Sequence, residues 1–111
     1  MAKAADLDWQ YRGDYIRTRS RRRPGDADIE PAWADEAFAD DAALVDSPDP
    51  ASKSGQTDRL VGYCLSARMV IVVIYLRDGL IGVNAWKANP TQARRYWEGQ
   101  GAGEEGQEGG A

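Results

Sequence analysis

The 111-residue chain has no histidine and one cysteine, Cys64. Without histidine there is no Ser-His-Asp triad, no His-built zinc site and no RNA cleavage that passes protons through imidazole. A single cysteine excludes an internal disulfide and any multi-cysteine metal site. Cys64 stands between Tyr63 and Leu65 in a strand-like stretch, where a buried structural thiol competes with a nucleophile and the apolar company favours the thiol. No metal or cofactor is expected. Long apolar runs are equally scarce: Met69 to Leu76 is eight residues, a strand's length and far short of a membrane span. The opening MAKAADLDWQ lacks the apolar stretch of a secretory leader, so the expectation is a cytoplasmic protein with no membrane partner.

What the chain does have is charge, and the charge is sorted. Six arginines and one acid lie between Arg12 and Arg23, followed by nine acids and no base between Asp26 and Asp49. From Lys53 to Arg95 seven bases face only Asp58 and Asp78. A net charge of −4 therefore conceals a basic half, and the potential at a site follows local charge more than the sum.

Local patterns place the elements. Leu7 to Tyr11 alternates like a half-buried strand, and Gly13-Asp14 breaks and caps before a basic helix over Tyr15 to Arg23. That helix is either a solvated arm or an RNA-contacting one. Pro31 suits the first turn of a second helix, with Trp33, Ala34, Ala37 and Phe38 at helical spacing. A brief strand over Ala43 to Val45 stops at Asp46-Ser47-Pro48-Asp49-Pro50. Met69 to Leu76 reads as the central strand, and Asp78-Gly79 as a two-residue hairpin turn leading to a strand from Leu80 to Trp86. That turn would put Arg77 opposite Leu80, Ile74 opposite Val83 and Val72 opposite Ala85, all but the first pair on one helix-covered core face. Ile71, Val73, Tyr75 and Arg77 would share the other face, which is either a half-wetted sheet surface or a binding surface. Asn89, Pro90 and Gln92 start a last helix with a capping box, and Gly99 is its expected stop. The fold class is α+β: a twisted antiparallel sheet of four to five strands with two N-terminal helices and a C-terminal helix. One domain spans 7–98, after a disordered lead at 1–6 and before a flexible Gly- and Glu-rich tail at 99–111.

The pieces LDWQY, the EAF helix before ALVD, the strand start from Arg59 to Gly62, VIVVIY, the Asp-Gly hairpin and NAWKANPTQARRYWEG together resemble the BrnT toxins of bacterial type II toxin–antitoxin systems. The resemblance covers about residues 7 to 98. It implies a RelE-like fold, an endoribonuclease that stops translation by cutting RNA, with or without the ribosome, and a BrnA-like ribbon-helix-helix antitoxin as partner. Arg59 matches the family's basic residue before the glycine, Lys87 the lysine of its S-A-R-K-A segment, and Tyr96 the tyrosine of its last helix. Two features depart. Trp86 stands where the family usually carries arginine, and Arg21-Arg22-Arg23-Pro24-Gly25 replaces its Lys-His-Gly step. Both departures remove polar groups that could hold transition-state charge or move a proton, which keeps a non-catalytic binding module as the alternative.

Cleavage by the 2′-hydroxyl needs a proton acceptor, a cation for the pentacoordinate phosphate and a proton donor for the leaving oxygen. In a histidine-free chain those duties fall to Lys, Arg or Tyr. The catalytic candidates are Arg59 and Lys87 as phosphate clamps with Tyr75 and Arg77 on the open face. The RNA-binding candidates are Arg17, Arg21, Arg22, Arg94 and Arg95, with Trp86 as a base-stacking platform or a plug under the last helix beside Trp97.

Overall fold

A computed structural model describes the backbone of residues 6–107 and the side chains of residues 6–100. In chain order the elements are α1 (Gly13–Arg17), α2 (Arg19–Arg22), α3 (Pro31–Phe38), β1 (Leu44–Asp46), β2 (Thr57–Cys64), β3 (Met69–Leu76), β4 (Ile81–Lys87) and α4 (Pro90–Gln107). The strands form one antiparallel sheet in sequence order, so each strand pairs with its chain neighbour. The fold is α+β, with helices at both ends of a four-stranded sheet. The expected lead through residue 5 and the end of the tail at 108–111 lie outside the described residues.

Two starts are as the sequence predicts. Pro31 occupies the first turn of α3 after extended Glu30, where its missing N–H costs no bond. At α4 the capping box closes in both directions: Gln92 N–H donates to Asn89 Oδ1 at 2.8 Å, and Asn89 N–H donates to Gln92 Oε1 at 2.9 Å.

Other elements differ, each for a visible reason. The stretch expected as a strand from Leu7 makes one bridge, Asp8 to Ile81 in parallel. Asp8 N–H donates to Leu80 O, and Gly82 N–H donates to Asp8 O. Trp9 then turns inward onto β4, where a Cβ on Gly82 would stand 2.5 Å from the indole, so glycine is required there. The basic helix is broken in two at Thr18, whose hydroxyl donates back to Asp14 O at 2.7 Å and competes with the helix ladder. The expected stop at Gly99 is absent, because its φ is not positive and α4 continues to Gln107. Trp97 faces outward, 51% exposed, and Tyr96 is the buried aromatic of that helix.

The hairpin is the largest correction. Gly79 and Leu80, rather than Asp78 and Gly79, take positive φ. Leu76 pairs with Ile81 and Tyr75 with Gly82 as expected, but a bulge then shifts the register. Ile74 meets Asn84, Val73 meets Ala85 and Val72 meets Trp86. The face expected to be open is closed as well. Ile71, Val73 and Tyr75 pack with Trp9, Ile16, Ile29, Ala34 and Ala37 in the larger core, under α3 and the N-terminal segment. Val72 and Ile74 form a smaller core with Val61, Val70, Ala88 and Tyr96 under α4. The sheet is covered on both sides.

Candidate nucleic-acid interface

With both sheet faces occupied, the site chemistry moves to the sheet edge. There, β4, α2 and the turn after α2 enclose a groove of about 720 Å³. Arg19, Arg22, Arg23 and Lys87 line it against a single carboxylate, Asp26, while Tyr15 and Trp86 supply aromatic walls. Four cations against one acid make this the basic pole of an acidic protein, and a concave wall concentrates such a potential.

Each wall has a local cause. Tyr15 precedes Arg19 by four residues, and Arg22 and Arg23 follow it by three and four, spacings that bring neighbours of a helical segment to one side. Arg19 joins that segment to the sheet: Nη1 donates to Asn84 Oδ1 at 2.9 Å, and Nη2 donates to Asp26 Oδ2 at 3.2 Å. Its guanidinium also lies over Trp86, 5.9 Å from the ring centroid. Arg12 and Arg22 both stack on Tyr15, each at 4.0 Å from the ring centroid. Arg12 Nε also donates to Val83 O, the carbonyl beside the bulge. Lys87 ends β4 exposed and, like Arg23, has no ion pair among the described residues. The groove thus pairs a fixed cation, Arg19, with cations whose charge is uncancelled.

The structure divides the candidates. Arg22, Trp86 and Lys87 meet in the groove. Arg21 lies exposed in the same helical segment without lining it. Arg17 is engaged by Asp14 at 2.6 Å and Glu30 at 3.4 Å. Arg95 pairs with Asp46 on β1 at 3.4 Å, and Arg94 is an exposed charge of α4 outside the groove.

The other catalytic candidates are elsewhere and committed. Arg59 pairs with buried Asp49 at 2.9 Å, tying the loop after β1 to β2. Arg77 grips buried Asp58 through Nη2 at 2.7 Å and Nε at 3.1 Å. Tyr75 is buried, and that burial, with the Asp58 charge beside it, pushes its phenol above the ordinary range. A phenol so placed does not exchange protons near neutrality. Burial likewise raises the Cys64 thiol, with Glu36 adding to the shift, so Cys64 is no nucleophile.

Arg19, Arg23, Tyr15 and Asn84 are the members of the groove that the sequence reading missed. A signal for three of them was present in their four-residue spacing from one to the next, but Asn84 is reached only through the tertiary fold. Among the described residues no His, Cys, Asp and Glu cluster could hold a metal ion, and no helix is long and apolar enough to cross a membrane. Comparison with protein-family models, curated proteins and solved structures finds no match to this chain.

Proposed function

We propose that this protein is a non-catalytic module that binds single-stranded RNA in the β4 groove. The observation that carries this reading is the convergence of Arg19, Arg22, Arg23 and Lys87 around Trp86. Cations that track a backbone beside an aromatic platform are how single strands are held without sequence readout. The RelE-like fold, the BrnT kinship and a BrnA-like antitoxin partner belong to the same proposal and rest on the resemblance of residues 7 to 98, and a cytoplasmic location accompanies them as the compartment of the RNA. The nuclease reading has less support, because the other catalytic candidates, Arg59, Tyr75 and Arg77, are engaged by Asp49 and Asp58 and lie outside the groove that Lys87 lines.

Fluorescence anisotropy with a labelled oligouridine tests the groove. Phosphate contacts from the three uncancelled cations, Arg22, Arg23 and Lys87, give a slope of log affinity against log salt of about −2 on a single strand, and Lys87→Ala or Arg23→Ala removes roughly 0.7 of that. Trp86→Ala lowers affinity about five- to 160-fold through lost stacking, worth ~1–3 kcal/mol. The RNA stays intact throughout. An affinity indifferent to salt and to Lys87 rejects the groove, whereas cleavage lost in Lys87→Ala returns the protein to the toxin reading.

A further inference from the structure

A second groove, of about 580 Å³, shares no residue with the first and has the opposite charge. Its walls include Asp6, Glu36, Asp40, Tyr63, Leu65 and Trp97, and no lysine or arginine lines it among the described residues. Neutral donors hold its carboxylates in place. Glu36 accepts from the Ser66 N–H at 3.1 Å, from the Ser66 hydroxyl and from the Cys64 thiol at 3.5 Å. Asp40 accepts from the N–H groups of Ala42 and Tyr63 and from the Tyr96 hydroxyl, the last at 2.5 Å. Such bonds orient negative charge without cancelling it. On the same groove Leu65 is 72% exposed and Trp97 is 51% exposed, so the carboxylates of Glu36 and Asp40, with no ion pair among the described residues, sit beside an uncovered apolar rim.

The chain itself carries the complementary charge. Arg21, Arg22, Arg23, Pro24 and Gly25 are consecutively exposed. Gly25 turns at φ +97°, and nothing lies within 4 Å of where its Cβ would be, so the tip of the turn faces open space. Arg21 and Arg23 form no ion pair among the described residues. Guanidinium groups suit this groove because they bond carboxylates in a fork and stack on indole. The turn borders the β4 groove, and none of its residues lines the acidic groove of the same molecule.

We infer that the arginine turn Arg21–Gly25 of one copy docks into the acidic, Trp97-rimmed groove of a second copy. The contact joins two different patches, so it is head-to-tail and each added copy still offers one free turn and one free groove. It does not depend on RNA, and its test contains none.

Sedimentation velocity of the full chain is run at rising concentration in ~20 mM and ~300 mM salt, where the screening length falls from about 20 Å to about 6 Å. The sedimentation coefficient is expected to climb with concentration at low salt and to return to the monomer value at high salt. Arg21→Glu with Arg23→Glu removes the turn, Leu65→Ser with Trp97→Ala removes the rim, and each variant alone is expected to be monomeric. Mixed one to one they form a dimer and nothing larger, because only one intact turn meets one intact groove. Wild-type protein that stays monomeric throughout overturns the inference and leaves the groove to a basic segment of another protein. Association that survives both variant pairs overturns it too, as does a monomeric mixture of variants shown folded by circular dichroism. If the reversed charges unfold the chain, Arg21→Gln with Arg23→Gln takes their place.

Discussion

The two faces of β3 are equally dry at their centres and are held in different ways. Val73 on one face and Val72 on the other are both fully buried. Beneath α3 the fit is set by backbone: a Cβ on Gly62 would stand 2.2 Å from Ala37 O, so helix and strand touch with no side chain between them. Ile16, Ile29, Ala34 and Ala37, all without exposed area, fill the rest. Beneath α4 the fit is set by side chains, chiefly Tyr96, with Leu44, Tyr63, Val83, Trp86 and Ala93 only partly buried around it. A backbone contact has no rotamer to change, whereas a side-chain layer with a wet border can settle. The α3 face should therefore be brittle and the α4 face compliant.

Gly62→Val is the severest way to try that contrast. Its branched side chain meets the Ala37 carbonyl, which cannot rotate away, so α3 must leave the sheet or the strand must bend. The expected loss exceeds ~4 kcal/mol, a core-overpacking effect at its upper end, and circular dichroism should show an unfolded chain. A cooperative melt near that of the wild type would refute the backbone contact. A finer cut compares Val73→Ala with Val72→Ala, the same deletion at adjacent buried positions. Because the cost of a cavity depends on how far its walls collapse, Val73→Ala should lose about 2–3 kcal/mol and Val72→Ala about 1–2 in urea melts. Equal losses, or the reverse order, would end the distinction.

This contrast also marks where the sequence is readable. Punctuation is local chemistry, so Pro31 and the Asn89–Gln92 box locate two helices without tertiary knowledge. The strand VIVVIY is apolar on both sides, and a period of two cannot tell which side is wetted when neither is. Assuming one open face led to Tyr75 and Arg77 as site residues, although one is core and the other is bound to Asp58. The bulge beside Val83 carries no residue signal of its own, and it moves Trp86 to the side of Val72. Arg22, Trp86 and Lys87 were legible because cations beside an aromatic read as a binding surface in any register, although Trp86 is half-buried against the α4 core. Arg19 carried only a spacing signal, since its role depends on Asn84, 65 residues away.

The smallest expected effect tests the ends of the two faces, where adjacent residues of β2 point opposite ways. Asp58 lies opposite Tyr75 and binds Arg77, while Arg59 lies opposite Ile74 and binds Asp49. Burial pushes the Asp58 carboxyl up, but hydrogen bonds from Arg77, Ser47 and Tyr75 with the Arg77 charge outweigh it, and the folded value falls below the ordinary 3.8. A carboxyl lowered by folding stabilises the protein fully above its unfolded value, and that contribution is lost as pH falls through the folded one. Asp58→Asn should therefore melt below the wild type at pH 7 and hold that deficit down to about pH 4. Below 3.8 the two should converge as the wild-type carboxyl takes up its proton. A deficit that stays constant from neutrality to pH 2.5 would show that Asp58 acts by shape and hydrogen bonding, with its charge contributing nothing. Convergence would place an ion pair at the end of the brittle face, holding β2 and β3 together where the apolar packing runs out.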